Sequence, residues 1–259
     1  MFKTRSTKLE RIDTGDYTPE EYAVFLREIA FINKYLGDRR ALKKTLYRDL
    51  EREWQTPRQK PVLQKPARSK GISQNVTERE PAFSVLDVGC GSGELLRYIA
   101  DFARRNGKNT QLFGIDLNAI STSVTVSESR LFPEISAIRG DAFRLPFADG
   151  TFDYVISSLF FHHLTDEQIP LVLKEMSRVA RRAIYVIDLH RHPIAYILYK
   201  LFCFAFRISP LVTQDGSLSI LKGFSAHKLF SASTDNLKEV SIIRSFPFRL
   251  IFRSRKYVT

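Results

Sequence analysis

The sequence predicts an α/β fold in which a mainly parallel sheet carries helices on both faces. Three observations predict it. A short apolar run at 83–88 ends in a glycine-rich turn, and apolar residues at helical spacing follow at 94–102. Strand-like and helix-like segments then alternate as far as residue 189. The second predicted strand ends in an acid, Asp116, where the carboxyl ends of parallel strands would share one cleft.

The glycine-rich turn at 89–93 reads GCGSG and indicates what kind of ligand the sheet binds. Strand, glycine turn and helix form the first half of a Rossmann-like nucleotide-binding unit. The G-x-G-x-G spacing differs from the G-x-G-x-x-G fingerprint of dinucleotide-binding proteins. Asp87 lies two residues before the first glycine, where its carboxylate would repel a pyrophosphate and attract an ammonium or sulfonium group. The turn therefore points away from NAD and towards a ligand with a cationic group.

The remaining strands follow from short apolar or β-branched runs separated by turn residues. Between them, helical spacing predicts helices at 118–130 and 165–180, the second opened by a capping box of Thr165 and Gln168. The later strands are predicted at 111–115, 135–139, 152–158, 183–188, 240–244 and 248–253.

From residue 84 to 189 the chain resembles the class I S-adenosylmethionine-dependent methyltransferases. VLDVGCGSG at 85–93 is similar to the first motif of that family, and GDAFRLPF at 140–147 and DGTFDYV at 149–155 are similar to later segments in the same order. The resemblance implies a Rossmann-like, seven-stranded methyltransferase sheet whose last two strands form an antiparallel hairpin at its edge. It also implies S-adenosylmethionine as the cofactor.

The resemblance further implies which residues bind that cofactor. Asp116 would accept hydrogen bonds from the ribose hydroxyls, each worth about 1.5–3 kcal/mol. Asp141 would meet the adenine amino group, with Ala142 beside the ring and Phe143 either on the ring or in the core. The candidates are Asp87, Gly89, Cys90, Gly91, Gly93, Asp116, Leu117, Asp141, Ala142, Phe143 and Ser158.

His162 and His163 follow the fourth strand and are the candidates for acid–base catalysis. A histidine with an ordinary pKa near 6.5 can take a proton from a phenol or an enol as the methyl group arrives. The alternative for each is a histidine that packs in the core or caps a helix. Because the two are adjacent and not spaced to share an ion from one helix face, no metal site is predicted.

The flanks of the methyltransferase-like part divide the chain further. Residues 1–55 are predicted to form a helical cover, with one amphipathic helix from Pro19 and a second from Asp38 to about Trp54, whereas 1–18 show no periodicity. Such helices commonly cover the substrate in the family, and packing on the sheet edge is the alternative. Residues 56–82 are predicted to be a basic flexible linker, and 83–259 the methyltransferase domain.

An α-helical insertion is predicted at about 190–223, after the fifth strand. Its segment 193–212 is dense in Ile, Leu, Tyr and Phe but is interrupted by Lys200 and Arg207. It is too short and too charged to span a bilayer comfortably. We interpret it as an amphipathic lid over an apolar substrate, with a helix on the membrane surface as the second interpretation.

The net charge of +12 lies outside the methyltransferase-like part, because residues 190–259 alone contain eleven basic and three acidic side chains. A basic fringe favours nucleic acid, anionic membrane or an acidic substrate as partner, or simply a solvated surface.

Cys90 and Cys203 lie in unlike contexts and are expected to be reduced thiols, as in a cytoplasmic protein. No secretory signal is recognised.

These observations predict an S-adenosylmethionine-dependent methyltransferase that acts on a small, largely apolar acceptor. The acceptor would be polyketide, phenol or quinone-like, methylated at oxygen or carbon. One alternative is an RNA methyltransferase that uses the basic flanks. It is disfavoured because SSLF at 157–160 stands where base-amine methyltransferases carry an Asn/Asp-Pro-Pro-Tyr segment. The other alternative is a non-catalytic cofactor-binding module. The expected location is cytoplasmic, with peripheral membrane contact through 193–212 as an option, and the oligomeric state stays open.

Overall fold

The computed structural model describes residues 2–55, 81–226, 229 and 237–256. The predicted linker at 56–82 therefore lies almost wholly outside the described residues. The helices are α1 (Arg11–Thr14), α2 (Pro19–Leu36), α3 (Asp38–Lys44), α4 (Leu46–Gln55), α5 (Glu94–Arg105), α6 (Ala119–Glu128), α7 (Gln168–Val179), α8 (Pro193–Ala205) and α9 (Pro210–Lys222), with a 3₁₀ turn at Phe161–His163. The strands are β1 (Phe83–Val88), β2 (Thr110–Asp116), β3 (Ile135–Arg139), β4 (Phe152–Ser158), β5 (Ala180–Leu189), β6 (Ser241–Ser245) and β7 (Arg249–Arg255).

The strands form a seven-stranded sheet in the order β3-β2-β1-β4-β5-β7-β6. Strands β1 to β5 are parallel to one another, and β7 pairs antiparallel with both β5 and β6. The predicted antiparallel hairpin at the edge is confirmed. The strand order reverses between β1 and β4, and a crevice opens at the carboxyl ends of parallel strands where this happens. The sheet thus places the ends of β1, β2 and β4 around one site.

Helices cover both faces of the sheet, as predicted. Every residue of β1 is buried, and successive side chains of a strand point to opposite faces. Val85 belongs to a cluster with residues of α4 and α5, whereas Leu86 belongs to a second cluster with residues of α7. The N-terminal helix α4 is therefore part of the same hydrophobic core as the sheet.

The N-terminal helices depart from the prediction at one residue. Helix α2 begins with the expected Thr18 cap, whose side chain accepts from the Glu21 amide, and ends at Leu36 with Gly37 as its C-cap. The helix predicted from Asp38 to Trp54 is interrupted at Thr45, which has φ −127° and ψ −96°. The Thr45 hydroxyl donates to the Ala41 carbonyl at 2.7 Å. Because this side chain competes for the local backbone, the prediction of one continuous helix was wrong.

The segment before α2 is ordered by polar contacts that leave no periodic signal. The Asp215 carboxylate accepts hydrogen bonds at 3.0 Å from the backbone amides of Arg11 and Ile12. The Arg5 side chain donates to the carbonyl oxygens of Lys222 and His162, both at 2.7 Å. These contacts hold the N-terminal segment on α9 and against the 3₁₀ turn.

The insertion after β5 consists of α8 and α9. Tyr199 of α8 donates its hydroxyl to the Val212 carbonyl of α9 at 2.7 Å, and both residues are buried together with Ile32 of α2. Helices α2, α8 and α9 thus share a third hydrophobic cluster above the carboxyl ends of the strands. Within the described residues, no helix has both the length and the apolar character needed to cross a membrane.

Candidate active site

A cleft of about 1100 Å³ lies at the carboxyl ends of the parallel strands. One half is lined by the glycine turn and by the ends of β1, β2 and β4. The other half is lined by the N-terminal segment, α2, α8 and α9. We call these the cofactor half and the acceptor half.

The glycine turn closes the end of β1 over β2. The amides of Gly89 and Cys90 donate to the Ile115 carbonyl at 2.8 and 3.2 Å. Gly89, Gly91 and Gly93 have φ of 75°, 55° and 73°, in the left-handed region that favours glycine. The backbone of the turn therefore bends towards the cleft in a conformation that other residues adopt only at a cost.

Replacing Gly93 by alanine is expected to destabilise the protein more than the same change at Gly91. A β-carbon at Gly93 would lie 2.6 Å from Thr125 Cγ2, whereas at Gly91 nothing lies within 4 Å. Each variant incurs about 1–2 kcal/mol for the left-handed conformation, and crowding at Gly93 adds about 1–3 kcal/mol. Denaturant unfolding of the two variants measures the difference. Equal losses would contradict the packing at Thr125.

Asp116, at the end of β2, holds the glycine turn in place. Its Oδ2 accepts from the Gly91 amide at 3.0 Å, and its Oδ1 accepts from the Asn118 amide at 2.9 Å. Burial raises the pKa of this carboxyl, and the hydrogen bonds oppose that shift. Each carboxylate oxygen has a second lone pair with which to accept a further donor.

Asp87 is a buried carboxyl group that lines the cleft. Its side chain is almost fully buried, and its Oδ1 has no hydrogen-bond partner among the described residues. Burial, then the nearby Asp116 and Asp38 carboxylates, raises the pKa of Asp87 to about 8. Burial also raises the pKa of Glu94, at the start of α5, to about 7. Asp38 is paired with Arg249 at 2.6 Å, whereas Asp87, Asp116 and Glu94 make the cofactor half suited to a ligand that carries positive charge.

Cys90, Leu117 and Ser158 all line this half of the cleft. The Cys90 thiol is buried, with Sγ 3.6 Å from Thr125 Oγ1, and burial raises its pKa. Leu117 is exposed, and the Ser158 hydroxyl donates to Asp38 Oδ2 at 3.4 Å. The structure therefore brings these predicted residues together with Asp87 and the glycine turn.

Asp141, Ala142 and Phe143 lie in the loop after β3 and are not among the residues that line the cleft. Asp141 is exposed, and its Oδ1 accepts from the Phe143 amide at 2.9 Å. Phe143 is itself partly exposed. Their assignment to the adenine ring stays a prediction.

His162 is buried in the acceptor half and is held by Asp188, at the end of β5. Asp188 Oδ1 lies 2.8 Å from His162 Nδ1, and Oδ2 accepts from the His162 amide at 3.1 Å. Burial works to raise the pKa of Asp188, but His162 and the backbone donors hold it below its ordinary value. An ionised Asp188 accepts from a protonated Nδ1, so in the neutral form of His162 the lone pair lies on Nε2. His162 Nε2 lies 3.9 Å from Glu10 Oε1.

The N-terminal segment supplies two further carboxyl groups to the acceptor half. Glu10 is buried, its Oε2 accepts from the Ser219 hydroxyl at 2.8 Å, and burial raises its pKa. Asp13 Oδ1 lies 2.6 Å from His163 Nδ1; despite burial, this contact lowers the pKa of Asp13. The Lys222 ammonium of α9 lies 2.9 Å from Asp13 Oδ2 and 3.1 Å from Glu10 Oε1.

Glu10, His162 and His163 each offer an atom that could bind a metal ion, and these atoms lie within 4.8 Å of one another. Such a group was not expected from two adjacent histidines alone. The Lys222 ammonium, however, already places a positive charge beside the Glu10 carboxylate. For this reason we keep the expectation that no metal takes part, as a prediction.

Sequence reasoning missed Glu10, Asp13, Asp188 and Lys222. Asp188 had a readable signal, because it lies near the carboxyl end of a predicted parallel strand, as Asp116 does. Glu10, Asp13 and Lys222 had none, since they reach the site through contacts with residues about two hundred positions away.

Fold and cleft together define an α/β protein with a cleft at the carboxyl ends of its parallel strands, lined on one side by carboxyl groups. Residues 85–183 match the family model described as a methyltransferase domain. The match covers 99 of the 259 residues and lies within the part of the chain for which the resemblance was predicted.

Curated relatives match over part of their length. The chain is 35% identical over 98 residues to a demethylmenaquinone methyltransferase of Bacillus licheniformis, covering 38% of this chain and 40% of that protein. It is 36% identical over 121 residues to a probable chloroplastic tocopherol O-methyltransferase of Oryza sativa, covering 44% and 31%. The chain therefore spans less than half the length of either relative.

Solved structures share the fold across more of the chain. A SAM-dependent methyltransferase from Aquifex aeolicus is similar with a TM-score of 0.54 and 14% identity, covering 92% of this chain and 98% of that one. A putative O-methyltransferase from Nostoc punctiforme has a TM-score of 0.50 and 20% identity, covering 67% and 52%. The predicted Rossmann-like methyltransferase sheet is confirmed.

Proposed function

We propose that the chain is an S-adenosylmethionine-dependent methyltransferase that acts on a small, largely apolar acceptor. The observation that carries this proposal is the buried Asp87 carboxyl group beside the glycine turn, whose Oδ1 has no hydrogen-bond partner among the described residues. The other half of the same cleft is lined by apolar side chains of helices. Bound S-adenosylmethionine supplies a methyl group activated by its sulfonium. The acceptor would be a polyketide, phenol or quinone-like molecule, methylated at oxygen or carbon.

The residues of the cofactor half fit this cofactor. Its sulfonium and ammonium groups are cations, and Asp87 and Glu94 are carboxyl groups whose ionised forms are disfavoured by burial and by neighbouring carboxylates. A cationic ligand relieves that cost. Asp116 would accept from the ribose hydroxyls with its free lone pairs, while Gly89, Gly91 and Gly93 let the backbone approach the ligand.

The acceptor half favours an apolar molecule with one polar, ionisable group. Apolar side chains from α2 and α8 line most of it, including Phe25, Ile29, Leu198 and Phe202. Its polar end is built from His162, His163 and Glu10. A hydroxylated ring could place its oxygen at the histidines and its hydrocarbon part among the helices.

We propose that His162 takes the proton from the acceptor hydroxyl at Nε2. Asp188 fixes the tautomer that leaves this nitrogen free, as described above. His163, tied to Asp13, would instead keep the N-terminal segment closed over the acceptor. Alignment of the acceptor in a closed site can itself lower the activation barrier by about 7–11 kcal/mol. Proton removal by His162 would lower this barrier further.

Replacing Asp116 by asparagine is expected to weaken S-adenosylmethionine binding by about 10- to 100-fold, because charge-assisted bonds to the ribose are each worth about 1.5–3 kcal/mol. Asparagine keeps one oxygen that can accept from the Gly91 amide, so the turn should persist. Calorimetric titration of the folded variant measures the change. An unchanged dissociation constant would rule out the ribose assignment.

The function is tested by incubating the protein with methyl-labelled S-adenosylmethionine and either a total lipid extract or total RNA. Label in organic-extractable molecules is the expected result. Label in RNA would favour the nucleic-acid alternative, and cofactor binding without label in either pool would favour the non-catalytic module.

The expected location is cytoplasmic, in line with the free, buried Cys90 and Cys203 thiols.

A further inference from the structure

We infer that an apolar surface beside the cleft docks on an anionic lipid bilayer, from which the acceptor enters. The entry of the acceptor rests on the proposed function, whereas the docking can be measured without it. The surface is formed by the exposed apolar residues of α8, which are Ile194, Ile197, Leu198, Leu201 and Phe204. We call it the α8 face.

The α8 face is apolar where a helix of a globular protein is normally polar. Its five residues recur at spacings of three and four and are 51–85% exposed. The opposite side of the helix, with Ala195, Tyr199 and Cys203, packs in the cluster that α8 shares with α2 and α9. Helix α8 is thus apolar on both sides, and packing within the described residues accounts for one of them.

Aromatic residues extend the α8 face onto α2. The ring of Phe31 lies 5.5 Å from that of Phe206 and 6.1 Å from that of Phe202, measured between centroids. Tyr35, one turn after Phe31, lies 6.5 Å from Phe206. Phe31, Tyr35 and Phe206 are all exposed. Large contiguous apolar patches on a protein surface often mark interaction sites, whereas single exposed apolar residues do not.

The α8 face continues into the acceptor half of the cleft. Leu198 is 51% exposed and also lines the cleft. Phe202 lines the cleft as well and contacts the ring of Phe31. An apolar molecule could therefore pass from the outer surface to the histidines along side chains that are apolar throughout.

The charges around the α8 face identify the partner as an anionic bilayer. Arg27 and Lys34 are exposed on α2, within one turn of Phe31 on either side, and Lys200 and Arg207 are exposed on and after α8. Residues 190–209 contain no Asp or Glu. Basic side chains around apolar ones are typical of interfacial helices, because the cations meet lipid phosphates while the apolar groups enter the acyl boundary. A second copy of the chain would present the same positive charges and be repelled.

The test is co-sedimentation of the full chain with vesicles of phosphatidylglycerol and phosphatidylcholine, mixed at about 3:7. We expect Leu201→Glu to lower the partition coefficient at least about tenfold, because it removes one buried leucine and adds a charge. Leu171→Glu on α7 is the matched control, since Leu171 is 56% and Leu201 58% exposed. The control should partition like the wild type, and added salt should weaken wild-type binding.

Two results would overturn the inference. One is wild-type protein that stays in the supernatant. The other is Leu201→Glu protein that partitions like the wild type; if the substitution also converts a wild-type dimer to a monomer, the α8 face is a contact between copies. Titration with S-adenosylmethionine separates these failures from a failure of the proposed function, because neither variant alters the cofactor half.

Discussion

Replacing His162 by asparagine is expected to lower the turnover of methyl transfer by about 10²–10⁴-fold without changing the affinity for S-adenosylmethionine. The asparagine amide can still donate to Asp188 Oδ1, as His162 Nδ1 does at 2.8 Å, so the local fold should be kept. Asparagine has no basic nitrogen to replace Nε2. The acceptor proton would then leave without a base inside the closed site.

The matched control is His192→Asn. His192 caps α8 by accepting from the Ile194 amide, and it does not line the cleft. Asparagine caps helices well, so this variant should keep wild-type turnover. A further readout separates a base from a structural role: in His162→Asn the kcat should fall while the KM of the acceptor stays that of the wild type. Turnover within about threefold of the wild type would exclude His162 as the base.

Replacing Asp87 by asparagine is expected to weaken S-adenosylmethionine binding by about 100-fold and to reduce its pH dependence. The wild-type carboxyl group has a pKa of about 8 without ligand, so it is mostly protonated at neutral pH. A cationic ligand binds the ionised form, and binding therefore releases a proton. The affinity of the wild type should rise about tenfold or more per pH unit between about pH 6 and 7.5, and that of Asp87→Asn should rise less steeply, because only Glu94 still releases a proton there.

The same substitution at Asp101, an exposed residue of α5, is the control and should leave both affinity and pH dependence unchanged. Calorimetry in buffers with different ionisation enthalpies counts the released proton directly. Wild-type affinity that is flat with pH would contradict the placement of the cation at Asp87.

The raised pKa of Asp87 also affects folding when no ligand is bound. The folded state holds a proton that the unfolded chain lacks, so the free energy of unfolding should fall as pH rises from about 4 to 8.

The cofactor half could be predicted from the sequence because its determinants are local. The glycine turn, Asp87 and Asp116 each stand directly at the end of a strand, and parallel strands bring such ends together. Thr45 shows the limit of this approach even locally. Its hydroxyl bond to Ala41 ends a helix whose apolar periodicity continues through Leu46 and Leu50.

The acceptor half could not be predicted in the same way. Glu10 lies in a polar stretch without periodicity, and its place is set by Asp215 and Arg5 contacts that join distant parts of the chain. His162 could be recognised as a candidate, but its orientation depends on Asp188, a residue of another strand. Asp141 lies in a motif that the sequence shows clearly. In the structure, however, its side chain accepts from the Phe143 amide of its own loop and does not line the cleft.

The most direct test of the central claim is calorimetric titration of the wild-type chain with S-adenosylmethionine at neutral pH. We expect one site with a dissociation constant on the order of micromolar, in the range common for enzyme ligands. Absence of binding heat at every pH and temperature tried, confirmed by a lack of thermal stabilisation, would contradict it. The glycine turn would then no longer hold this cofactor, and the function of the chain would have to lie in the helices around the cleft.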